Sequence, residues 1–162
     1  MHLVLQKMDI KQEYNYEKIE ELINNLVLSK IITQTEAEAI DINKIINFIK
    51  SEFAKNIASA KMIYKEQPFY IDIPAKDLCN VDVDEKILVQ GIIDLYFIDK
   101  DGNLILVDYK TDKVKDENEL KEKYKNQLKI YKHALEISLN KNVYKTYIYS
   151  LYLNKEILIN LD

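Results

Sequence analysis

The sequence predicts an α/β domain: a mixed central sheet flanked by helices, with the first third of the chain helical. Three observations lead there. Apolar residues recur at helical spacing through the first sixty or so positions. The pattern then alternates in the strand manner over 66–73, and two apolar runs, 86–98 and 104–110, flank a polar turn. Helical spacing returns over 116–139 and is followed by two last strand-like runs. Helices, strands, one long helix, then strands give an α/β or α+β single domain with a mixed sheet.

Taken in order, residues His2 to Met8 can start a helix, yet no capping residue precedes them. That abrupt start suggests a piece cut from a longer chain. Tyr16 to Leu28 carries Ile19, Leu22, Ile23, Leu26 and Val27 on one face, with Ser29-Lys30 as its end. Thr35, followed by Glu38, has the form of a capping box, opening a helix through Ile42, Ile45, Ile46 and Ile49 to Phe53. A short helix is expected from Phe53 to Met62.

Strand alternation runs from Glu66 to Ile73, with Pro68 near its start as an edge strand tolerates. Pro74 to Glu85 reads as a polar connection. Lys86 to Ile98 and Leu104 to Lys110 flank Lys100-Asp101-Gly102-Asn103 and read as a β-hairpin. Over Asp116 to Leu139, residues Leu120, Tyr124, Leu128, Tyr131 and Leu135 line one helix face. Tyr144 to Leu153 and Glu156 to Leu161 form a last hairpin turning at Asn154-Lys155.

Composition narrows the class. The 162 residues are 48% hydrophobic and 31% charged, enough for one domain over 1–162 with a real core. No apolar run reaches membrane-spanning length, and no basic-then-apolar leader is visible at the start. The single cysteine, Cys79, excludes an internal disulfide framework and a cysteine-ligated iron–sulfur cluster, and a free thiol suits a reducing cytoplasm. A net charge of −4 means the chain as a whole is no magnet for DNA, although local cations can still bind it. No phosphate-binding Gly-x-x-x-x-Gly-Lys-Ser/Thr loop is present, so ATP is not expected to bind through one.

The chemistry concentrates in the hairpin. Asp94 stands in one apolar run and Asp108 in the other, with Lys110 on the same strand face as Asp108. A carboxylate in a core strand is costly unless it is compensated. Two readings stand on spacing alone. One is a hard, oxygen-rich site for Mg²⁺ or Mn²⁺ with a cationic partner; the other is a structural ion pair at the strand ends.

Asp94 followed by Asp108-Tyr109-Lys110 after a turn resembles the Asp…(Asp/Glu)-x-Lys pattern of the PD-(D/E)XK nuclease superfamily, whose fold is restriction-endonuclease-like. Gly91-Ile92-Ile93-Asp94-Leu95 with Val107-Asp108-Tyr109-Lys110-Thr111-Asp112 is similar to the nuclease domains of the RecB family, above all the C-terminal ones of AddAB-type helicase–nucleases, in their AddA component. Gln127-Leu128-Lys129-Ile130-Tyr131 supplies that family's Gln-x-x-x-Tyr motif. His2-Leu3-Val4-Leu5-Gln6 resembles its N-terminal histidine segment, and Lys65-Glu66-Gln67-Pro68-Phe69 its glutamate before a strand. The five motifs occur in the family's order and cover essentially the whole chain.

The resemblance implies a metal-dependent deoxyribonuclease acting on single-stranded DNA inside a helicase–nuclease used for double-strand-break repair and recombination. The helicase part of the same polypeptide, and an AddB-type partner, would lie outside this chain. His2, Asp94, Asp108 and the backbone carbonyl of Tyr109 would hold Mg²⁺ or Mn²⁺. Lys110 would serve the transition state, Glu66 would be a substrate-side or outer metal-shell carboxylate, and Gln127 and Tyr131 would orient Lys110. Thr111 and Asp112 either cap the strand or touch a phosphate. The lysines from Lys113 to Lys132 form a solvated face from which some can track DNA phosphates. Two other readings remain: a stand-alone exonuclease of the same superfamily, and a non-catalytic DNA-binding scaffold.

Overall fold

A computed structural model describes residues 1–75 and 85–161. Its N-terminal third is helical, as the periodicity requires. Helix α1 (His2–Lys7) has Met1 at its N-cap with no side-chain cap. Helix α2 (Tyr16–Leu28) starts at Asn15, whose side chain accepts the Lys18 N–H at 2.9 Å, and it buries Ile19, Ile23 and Leu26.

The long helix expected from Thr35 to Phe53 is instead divided. Helix α3 spans Gln34–Glu38, α4 spans Ile42–Lys50 and α5 spans Glu52–Ala58. The capping box is Thr33 with Glu36, two residues before the expected pair: Thr33 Oγ1 accepts the Glu36 N–H, and Glu36 Oε2 accepts the Thr33 N–H. Asp41 caps α4 and Ser51 caps α5, each accepting from the first turn that follows. These polar side chains offer the backbone local partners that compete with a continuing helix, and the apolar period runs on past them. The short helix expected to reach Met62 ends at Ala58, and Met62 opens a strand.

Among the described residues five strands form one sheet in the order β1 (Met62–Pro74), β2 (Lys86–Ile98), β3 (Leu104–Lys110), β4 (Val143–Ser150) and β5 (Lys155–Ile159). All neighbours are antiparallel except β3 and β4, which are parallel and joined through α6 (Glu117–Leu139). β1 is an edge strand and carries Pro68 there, although it begins four residues earlier than the alternation suggested. The β2–β3 turn is tied by Asp99 Oδ1, which accepts the N–H groups of Asp101 and Asn103, with Gly102 at φ 90°. β4 stops at Ser150 rather than Leu153, because Ser150 Oγ takes the Leu153 N–H and turns the chain, and Asn154 completes the bend at φ 58°. Most of the polar connection from Pro74 to Glu85, including Cys79, lies outside the described residues.

The sheet divides two cores. Helices α1 to α5 cover one face, where Ile19, Ile45, Phe48, Leu95, Val107 and Tyr149 are buried together. Helix α6 covers the other with Leu120, Leu128 and Leu135 against Ile93, Leu104, Leu106 and Ile148. β3 is therefore buried on both faces, which is why it reads as a nearly unbroken apolar run. Strand alternation sends Ile105, Val107 and Tyr109 toward the N-terminal helices and Leu104 and Leu106 toward α6, and Asp108 follows the latter pair. Among the described residues no helix is long and apolar enough to cross a membrane.

Candidate metal centre

The site is built where the first two strands break their alternation. On β1, Ile63 packs with the N-terminal helices, yet Phe69, Ile71 and Ile73, also odd-numbered, pack with α6. On β2, Leu95 and Phe97 belong to the first core and Ile93 to the second. Both strands therefore change face together, at Glu66 and Asp94, between the pairs Lys65↔Leu95 and Gln67↔Ile93. Glu66 accommodates the change at φ 50°, a left-handed conformation uncommon for a residue with a side chain. Irregularities of this kind re-aim side chains at the rim of a sheet. Here they bring two carboxylates to one spot.

A third group comes from α1. His2 Nε2 lies 3.3 Å from Asp94 Oδ2 and 3.8 Å from Glu66 Oε1. One ligand atom from each of His2, Glu66 and Asp94 falls within 4.8 Å of the others. The helix that carries His2 is pinned by Lys65, whose ammonium donates to the carbonyls of Leu5, at 3.1 Å, and Met8. These are carbonyls that the end of a short helix leaves without partners. The Tyr109 ring, edge-on against Phe48, lies tilted beside the imidazole with ring centroids 6.0 Å apart.

Asp94 does a second thing. The β2–β3 ladder ends at Leu95↔Val107, and there Asp94 Oδ2 accepts the backbone N–H of Tyr109 at 2.8 Å. Tyr109 thus gives its N–H to Asp94 and sets its ring beside His2.

Asp108, 1% exposed, stands apart from the three-residue set. Its Oδ2 is 2.7 Å from Lys110 Nζ, which also donates to Gln127 Oε1 at 3.1 Å. Gln127 Nε2 donates in turn to Tyr131 Oη at 2.8 Å, so the amide is fixed in orientation at both ends. The spacing of four between Gln127 and Tyr131 puts them on one face of α6, turned toward β3. Asp112 accepts from Lys123 and Tyr124 and so ties the end of β3 to α6.

Electrostatics agree with a site made for positive charge. Burial pushes the Asp108 carboxyl up to about 6, with Lys110 pulling the other way and Asp94 adding to the rise. Glu66 is raised by burial and by Asp94. His2 is held above its ordinary value by its contact with Asp94, more than burial lowers it. Two buried atoms, His2 Nε2 and Asp108 Oδ2, make no well-directed hydrogen bond among the described residues, the Lys110 contact being a close ion pair. An imidazole nitrogen among clustered carboxylate oxygens is a donor set that a divalent cation satisfies, and such a cation would favour the ionised acids against the burial that raises them.

Of the residues expected from sequence, His2, Glu66 and Asp94 meet in one cluster, and Lys110, Gln127 and Tyr131 form one chain of contacts with Asp108. Four contributors had been given no role at the site: Lys65, Tyr124, Gly91 and Phe69. A Cβ on Gly91 would lie 2.7 Å from the Phe69 ring, which packs edge-on against Tyr131 at 5.5 Å. Only the glycine carried a signal, since an isolated Gly in a strand marks close approach.

Comparison with known proteins agrees with this geometry. A family model for the PD-(D/E)XK nuclease superfamily matches residues 1–157. The chain is 44% identical over 154 residues to the AddA component of an ATP-dependent helicase/nuclease from Clostridium kluyveri (strain ATCC 8527), and 40% identical over 154 residues to its counterpart from Clostridium botulinum (strain Hall). Each match covers 92% of this chain and 12% of the relative, so the chain spans about an eighth of the length of the curated relatives it matches. With the mixed sheet, the flanking helices and the acid–lysine strand in view, the chain belongs to the PD-(D/E)XK nuclease superfamily.

Proposed function

We propose that this chain is the metal-dependent nuclease domain of a helicase–nuclease, hydrolysing phosphodiester bonds of single-stranded DNA delivered by a motor elsewhere in the longer protein. The single observation that carries the reading is the convergence of His2, Glu66 and Asp94 within 4.8 Å, beside the buried Asp108–Lys110 pair. His2, Asp94, Asp108 and the Tyr109 carbonyl would hold Mg²⁺ or Mn²⁺, with Glu66 as a further carboxylate on the substrate side. A divalent cation there supplies charge neutralisation at the phosphate and a water that is more easily deprotonated.

The chain's own groups do the remaining work. Lys110 aims its ammonium at the charge that develops on the phosphoryl oxygens. Gln127 Oε1 accepts one N–H of that ammonium, and Tyr131 fixes the Gln127 amide, so that Lys110 is oriented before substrate arrives. Nothing in this arrangement reads a base, which suits cleavage without sequence preference. The relatives are ATP-dependent helicase/nucleases by name, which supports an AddAB-type assembly with an AddB-type partner, working on broken DNA in the bacterial cytoplasm.

The test is cleavage of a single-stranded oligonucleotide by the 162-residue chain in Mg²⁺ or Mn²⁺ and in EDTA. Cutting is expected only with metal, and Lys110→Ala should abolish it without changing the fold. Equal cutting in EDTA, or no cutting in any metal, sinks the reading.

A further inference from the structure

Three groups surround the Lys110 ammonium, whose side chain is only 13% exposed. Asp108 and Gln127 are two of them. The third is the face of Tyr124, with its ring centroid 4.0 Å from Nζ. Tyr124 is held in turn, because its hydroxyl meets both carboxylate oxygens of Asp112, at 3.0 and 2.9 Å. Asp112 also pairs with Lys123 at 2.5 Å. A strand-end acid and a helix tyrosine thus brace the gap between β3 and α6, and the brace presents a π face to the lysine. A cation over an aromatic ring is attracted by the ring quadrupole, and more strongly when water is excluded.

We propose that Tyr124 is a positioning residue for Lys110: its ring, braced by Asp112, holds the ammonium beside Asp108 and aimed at the scissile phosphate. The inference rests on the reading of Lys110 as the group that serves the phosphate. Gln127 and Asp108 hold the ammonium from two sides, and the ring closes the side that those two leave open. The ring does this work and the hydroxyl only steadies it. Phenylalanine should therefore substitute well and leucine poorly.

The experiment compares Tyr124→Phe, Tyr124→Leu and Lys110→Ala in the 162-residue chain, by single-turnover cleavage of a single-stranded oligonucleotide in Mn²⁺. Proton NMR of the Lys110 ε-methylene is recorded alongside. Tyr124→Leu should lower the maximal rate about tenfold, while the half-saturating DNA concentration, Mn²⁺ affinity and Tm stay near wild type. Tyr124→Phe should retain at least roughly a third of the rate, since the π face is kept. An upfield ring-current shift of the ε-methylene is expected in wild type and Tyr124→Phe, and lost in Tyr124→Leu. Wild-type cleavage by Tyr124→Leu with Lys110→Ala inactive would overturn the proposal, as would equal losses in both tyrosine variants or the absence of any ring-current shift. Normal cleavage by Lys110→Ala would instead overturn the role given to the lysine itself.

Discussion

Asp94 accepts the backbone N–H of Tyr109 at 2.8 Å, at the point where the β2–β3 ladder ends. The same Oδ2 is the atom that faces His2 at 3.3 Å. One carboxylate thus holds β2 and β3 in register and offers itself to the proposed metal centre. Its two duties separate on mutation. Asp94→Ala leaves the Tyr109 N–H without a partner and should cost about 1–3 kcal/mol of stability. Asp94→Asn keeps an oxygen acceptor and should stay near wild-type stability, with cation binding lost. Denaturant titrations of both variants, read beside Mn²⁺ binding, check this, and equal stability of the two would count against it.

Gly91 controls the far end of the lysine's support. A Cβ there meets the Phe69 ring at 2.7 and 2.9 Å, and Phe69 packs on Tyr131, which holds Gln127. Gly91→Ala should cost about 1–3 kcal/mol through overpacking. It should also slow cleavage under conditions where the variant is fully folded. A variant as active and as stable as wild type would mean that Phe69 and Tyr131 do not steady Gln127.

Lys65 is expected to act on the metal through α1. With its carbonyl contacts to Leu5 and Met8 removed in Lys65→Met, His2 loses its fixed approach to Asp94 and Glu66. Mn²⁺ affinity should fall about tenfold, the low end for residues that orient metal ligands. Calorimetry reads this directly. Unchanged affinity would show that α1 stays docked without Lys65.

The acids set a pH dependence with a definite sign. Asp108 sits up to about 6 in the folded chain because it is buried, against about 3.9 for an unperturbed aspartate. The folded state therefore holds an extra proton between the two values. That stabilisation is full below about 4 and lost as the pH rises through about 6. The raised values of Glu66 and His2 act in the same direction. In EDTA, Tm should fall as the pH rises from about 5 to about 7, and Asp108→Asn should flatten the slope. A Tm that climbs over that range in wild type would contradict the burial assigned to Asp108.

Much of the fold was legible because burial leaves a period. Helix α2 and the β2–β3 hairpin fall on the predicted bounds, since their apolar positions and turn residues point to one answer. The stretch from Thr35 to Phe53 misled because the apolar phase of Ile42, Ile45, Ile46 and Ile49, all within α4, runs on to Phe53 across the helix end set by Ser51, while Asp41 caps α4 as a separate helix. At the site, motif order drew His2, Glu66 and Asp94 together, but the device that joins them was hidden. A left-handed glutamate has no composition signal, as a glycine would. Tyr124 and Lys65 were hidden for another reason: one read as a residue of an apolar helix face and the other fell just before the expected strand start at Glu66, and only tertiary contacts give them partners.

The proposed cation site of His2, Asp94 and Asp108, with Glu66 beside it, is tested most directly by calorimetric titration of Mn²⁺ into the chain, with single-stranded DNA cleavage measured on the same samples. Wild type is compared with Asp94→Asn and Asp108→Asn. Saturable binding and metal-dependent cleavage are expected in wild type, and both should be lost in the two variants while their circular dichroism spectra stay native. Variants that bind Mn²⁺ and cut DNA as wild type does would contradict it.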